Sequence, residues 1–139
     1  MKLIERLGQL ENPLISIWGG KVSWLDYLYK NGYHVAEGYC INKELFSVFM
    51  RDNNINLHEC SVDSIFKYDE IKNVIYRSSF PKLMQTELEN VYNSLKKPLI
   101  VRSSSVIEDS ANYSCAGLFT SVGGIKTFED MFWRVKSSQ

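Results

Sequence analysis

The chain has 139 residues, 45% of them hydrophobic and 23% charged, and its sixteen basic and sixteen acidic side chains cancel to a net charge of zero. That length supports one core burying roughly two-thirds of the unfolded surface, and the balanced charge supplies no field to draw nucleic acid or an anionic membrane. No apolar run approaches the ~20 residues of a membrane span, and the acid-bearing N-terminus MKLIERLGQLEN lacks a signal-peptide core. The cysteines Cys40, Cys60 and Cys115 are widely spaced, which argues against a disulfide framework and for a reducing, cytoplasmic compartment.

The first segment with chemical content is WGGKVSWLDYLYKNGYHVAEGYCI, residues 18–41. Gly19, Gly20 and Lys21 open a predicted amphipathic helix. Val22, Leu25, Leu28 and Tyr29 share one of its faces, and Gly32 ends it. A lysine just inside a helix N-terminus, after two glycines that let the backbone come close, is placed to meet an anion. The segment is not a P-loop, because Val22 stands where that motif needs Ser or Thr.

Residues 35–41 are strand-like, and Asn42 is placed to cap a helix running to about Arg51. Asn53, Asn54 and Asn56 mark a polar turn. Residues 68–77 and 81–95 are predicted helices, the second opened by Pro81, with Leu83, Leu88, Val91, Tyr92 and Leu95 at helical spacing. His34 and His58 are expected to be ordinary histidines. The run His58-Glu59-Cys60 is too compact for a metal site, so no metal ligand is assigned.

The second informative segment is PLIVRSSSVIEDSANYSCAGLFTSVGG, residues 98–124. A short apolar strand at 99–101 leads into Arg102. Ser103, Ser104 and Ser105 follow, then Glu108 and Asp109, then a small-residue turn of Ser114, Cys115, Ala116 and Gly117. A planar guanidinium forks onto phosphate oxygens, and backbone N–H groups in a tight turn add donors. Ser103 and Ser104 are expected to hydrogen-bond local backbone. Residues 118–122 form a predicted return strand. Thr127 with Asp130 resembles a capping box for a last helix through Val135.

In this order the two segments resemble the N-terminal ATP-binding region of the phosphoenolpyruvate synthase and pyruvate phosphate dikinase family. Its members carry GGKGA-x-L, a helix ending in G-x-x-VPPGF, then VRSS-x-x-x-ED closed by SFAG-x-x-x-T. Here GGK is Gly19 to Lys21, Leu25 takes the motif leucine, and VAEGY at 35–39 stands for VPPGF. VRSS occupies 101–104, ED is Glu108 and Asp109, SCAG occupies 114–117, and Ser121 takes the threonine position. Val22, Trp24, Ala36, Glu37 and Cys115 depart from the pattern and mark a divergent member.

The resemblance implies an α+β fold, the first subdomain of an ATP-grasp domain, with a short β-sheet and packed helices and residues 1–139 as a single domain. It implies ATP as ligand, its phosphates held by Lys21, Arg102, the Gly117 loop and Ser121. Mg²⁺ ligands are expected from the second ATP-grasp half, which with a phosphohistidine domain and an acceptor-binding domain would complete a phosphotransferase. The chain alone is expected to be inactive. A second reading, a non-catalytic nucleotide-sensing or protein-interaction module, is favoured by the altered GGKV and VAEG segments.

Overall fold

The computed structural model describes residues 2–56, 65–104 and 121–137. Within them the fold is α+β as expected, with six helices packed on short β-structure that forms two two-stranded antiparallel sheets. The first sheet pairs β1 (Ile4–Arg6) with β2 (Tyr39–Ile41), Ile4 facing Ile41 and Arg6 facing Tyr39. The second pairs β3 (Leu99–Arg102) with β4 (Ser121–Ile125), Leu99 facing Ile125 and Arg102 facing Ser121. Between those pairs the register shifts, and β4 accommodates the extra residue at Gly123 and Gly124, the latter at φ +71°.

The helices are α1 (Ile15–Trp18), α2 (Gly20–Lys30), α3 (Lys43–Asp52), α4 (Ile65–Arg77), α5 (Lys82–Ser94) and α6 (Phe128–Ser137). Local chemistry sets several of their ends. The Asn42 side-chain oxygen accepts the Glu44 N–H at 2.9 Å and starts α3. Thr127 Oγ1 accepts the Asp130 N–H at 3.2 Å at the start of α6. Pro81 serves as the N-cap of α5, whose first turn it suits because it has no N–H to leave unpaired. Asn54, at φ +54°, makes the polar turn after α3.

One core gathers Leu45, Phe49 and Met50 of α3, Phe80, Met84 and Leu88 near α5, Leu99 and Ile125 of the second sheet, and Met131 and Val135 of α6. The core residues Met84 and Leu88 of α5, and Met131 and Val135 of α6, stand four apart on their helices, so each helix offers an apolar face to the core. Phe80 joins two of these elements, its ring centroid 4.9 Å from that of Phe49 and 5.3 Å from that of Phe132. Each such side chain contributes roughly 1.5–3 kcal/mol of apolar burial.

A second, smaller cluster of Leu7, Leu10, Trp18 and Cys40 lies at the N-terminal end, with Ile17, Val22, Leu25 and Val35 packed on it. It accounts for the early departures from the predicted elements. Residues 35–38 are not strand, because their groups are used singly: Val35 packs into this cluster, the Gly38 carbonyl accepts the Leu7 N–H at 2.9 Å, and Glu37 pairs with Arg6 at 3.2 Å. Of the return strand predicted at 118–122, residues 118–120 lie outside the described residues; from Ser121 the strand continues to Ile125, which is fully buried in the main core.

Candidate functional site

The site is built at the junction of α1 and α2. Gly19 is at once the C-cap of the first and the N-cap of the second, at φ +84° and ψ 162°. That region of backbone space is essentially reserved for glycine. A Cβ at Gly19 would also lie 2.7 and 2.8 Å from the carbonyl carbon and oxygen of Ser104. The glycine therefore lets the start of α2 touch the chain leaving β3.

Two hydrogen bonds cross this contact, each spanning 82 positions of sequence. The Lys21 ammonium donates to the Ser103 carbonyl at 3.2 Å, and the Val22 N–H donates to Ser104 Oγ at 3.3 Å. Ser103 directly follows Arg102, and Arg102 faces Ser121 across the second sheet. Directly opposed residues of an antiparallel pair project on the same face. Both Arg102 and Ser121 are exposed, and no ion pair joins Arg102 to another described residue. The fold thus gathers Lys21, Arg102 and Ser121 around the end of β3, whereas Gly117, with Glu108, Asp109 and the rest of the 114–117 turn, lies outside the described residues.

The base of α2 is held by a group that the sequence pattern did not single out. Asp26 is fully buried, accepts the Gly8 N–H at 2.7 Å and the Leu10 N–H at 3.5 Å, and pairs with Lys30 at 2.6 Å. Lys30 in turn donates to the Leu10 carbonyl at 2.8 Å. Asp26 and Lys30 together clamp the β1–α1 loop onto α2, and only their i, i+4 spacing hinted at it. Cys40 lies in the same region, its thiol pushed up to about 12, first by burial and then by the negative charges of Asp26 and Glu5. Such a thiol is inert at neutral pH.

Elsewhere, Trp18 is buried with its indole N–H on the Asn12 carbonyl at 3.0 Å, while Trp24 is 61% exposed and meets Tyr27 edge-on. Lys136 is buried between α4 and α6, where it donates to the Tyr76 carbonyl at 3.1 Å; burial lowers its pKa. His34 is exposed, and His58 and Cys60 lie outside the described residues. An open cavity of about 280 Å³ lies along the first sheet, lined by Lys2, Ile4, Glu5, Arg6, Gln9 and Tyr39, away from Lys21 and Arg102. Among the described residues no cluster of His, Cys, Asp and Glu is placed to hold a metal ion, and no helix is long and apolar enough to cross a membrane.

These features define a small α+β domain in which a Gly-Gly-Lys helix start is seated on a strand end carrying Val-Arg-Ser-Ser. Residues 15–137 match the family model for the pyruvate phosphate dikinase AMP/ATP-binding domain. The chain belongs to that family. No curated protein matches it.

Proposed function

We propose that this domain binds ATP and presents its phosphates to a phosphotransfer reaction, as the first half of an ATP-grasp domain. The observation that carries the reading is the seating of Lys21 on Ser103 beside the exposed Arg102. It sets a lysine ammonium and a helix N-terminus against the residue that follows Arg102 in the chain, and Ser121 faces Arg102 across the second sheet; in this reading the guanidinium fork and the Ser121 hydroxyl complete the donor set. This donor set suits a polyphosphate: it holds cationic and neutral donors, and the missing Cβ of Gly19 keeps the helix start close to the strand end. The turn around Gly117 would add backbone N–H groups.

In this reading Lys21 and Arg102 neutralise phosphate charge. Mg²⁺, supplied with its ligands by the second ATP-grasp half, would provide further charge neutralisation. In the complete phosphotransferase the phosphoryl group would pass to a histidine of another domain and then to an acceptor, and residues 1–139 alone would not turn over.

The test is a calorimetric titration of the chain with ATP and Mg²⁺, beside Arg102→Ala. Arg102 is exposed on an edge of the sheet, so the fold should persist in the variant. Each lost charge-assisted hydrogen bond costs on the order of 1.5–3 kcal/mol, so affinity should fall at least tenfold. Equal affinity in the two proteins would refute the assignment of Arg102.

A further inference from the structure

We propose that Ser104 is the positioning residue of this site: its hydroxyl caps α2 from another element and so holds Lys21 beside Arg102. The inference rests on the phosphate-binding reading of those two cations, and Ser104 itself need not touch the ligand. The first N–H groups of any α-helix have no acceptor within the helix, and ordinarily a Ser, Thr, Asp or Asn at the N-cap supplies one. At α2 that solution is closed. The N-cap is Gly19, whose positive φ and whose contact with the Ser104 backbone both exclude a side chain.

The cap is instead delivered in trans. Ser104 Oγ takes the Val22 N–H at 3.3 Å, and the preceding carbonyl, that of Ser103, takes the Lys21 ammonium at 3.2 Å. A helix start completed by its own N-cap would be set wherever the chain leaves α1. This one is completed only when the end of β3 is in place, so the positions of Lys21 and Arg102 are linked through two adjacent serine residues. The VRSS segment then has a divided use, with Arg102 facing outward and Ser104 turned back onto the lysine's helix.

The experiment uses the full chain with Ser104→Ala and Ser104→Thr. Without ligand, Ser104→Ala should speed hydrogen exchange at the Val22 amide about tenfold, the effect of losing a capping acceptor, and Ser104→Thr should restore it. In ATP titrations, Ser104→Ala should weaken binding about tenfold where Lys21 is present and have no further effect in a Lys21→Met background. An equal loss in both backgrounds would mean that Ser104 acts other than through Lys21, and would overturn the proposal. So would unchanged exchange at Val22 in the alanine variant, even with ATP binding intact. If the wild-type chain bound no ATP while Ser104→Ala still released Val22, the cap would stand and the phosphate-site reading would be the part refuted.

Discussion

Substituting alanine for Gly19 tests directly whether the two motifs meet as described. Two costs add at this position. The first is conformational: φ +84° with ψ 162° is a region that an L-residue occupies only with strain, about 1–3 kcal/mol. The second is steric: the new Cβ would lie 2.7 Å from a backbone carbon of Ser104, and backbone cannot rotate aside as a side-chain tip can. Relieving the overlap to an ordinary contact moves α2 and the β3 exit apart by several tenths of an ångström. The bonds at 3.2 and 3.3 Å then pass beyond hydrogen-bonding range. At about 0.5–1.5 kcal/mol each, their loss brings the expected total to roughly 2–6 kcal/mol.

Gly32 is the internal control. Its φ is +80°, yet a Cβ there meets nothing within 4 Å. Gly32→Ala should therefore cost only the conformational part, on the order of 1 kcal/mol. Urea denaturation of wild type and the two variants measures both losses on one scale, with m-values checking that two-state unfolding is retained. Equal destabilisation of the two variants would refute the close approach of α2 to Ser104.

Two further outcomes follow from the buried charge and the buried thiol. Asp26→Ala leaves the Gly8 N–H without its acceptor and Lys30 without its carboxylate, but the Lys30 side chain is 39% exposed and can turn to water. The loss should thus fall near the low end for a broken buried pair, about 3 kcal/mol by urea denaturation, and a loss below 1 kcal/mol would contradict the clamp. Burial pushes the Cys40 thiol up to about 12 in the fold, against an ordinary value near 9.0. Between those values the unfolded chain releases the proton and the folded chain keeps it, so wild type should lose about 1.4 kcal/mol per pH unit relative to Cys40→Ala between pH 9 and pH 12. A difference that stays flat from pH 8 to pH 11 would refute the burial of that thiol.

The elements legible in the sequence are those whose signals are local. Asn42 and Thr127 announced α3 and α6 because a capping oxygen acts within three residues of itself. The spacing of Leu88 with its neighbours announced α5 because helix packing repeats every turn. β1 and α1 carried no such signal. A strand of three residues does not establish an alternation, and a one-turn helix does not establish a period. The same division runs through the site. GGK and VRSS were legible as separate anion-facing segments, but their mutual contact depends on the tertiary path between them. Ser104 was expected to bond local backbone; it bonds backbone 82 positions away, because its partner's own N-cap has no side chain to offer.

The departure at Val22 is where sequence and structure bear on each other most closely. The family's glycine after GGK suggests that a β-branched residue there would crowd an approaching phosphate. In the fold, however, Val22 packs against the cluster of Leu7, Leu10, Trp18 and Cys40, and only its N–H reaches the Ser104 side. Its side chain is spent inward, on the N-terminal core. Val22→Gly should then remove apolar packing and add a glycine to a helix, each costing about 1 kcal/mol or more, for a total of roughly 2–3 kcal/mol in urea denaturation. ATP affinity measured by calorimetry should change less than about twofold, because the backbone bond to Ser104 survives. A gain in affinity of tenfold or more would show that the valine does obstruct the ligand. The site's divergence would then have to be read as a loss of nucleotide binding, not as a repacking beneath it.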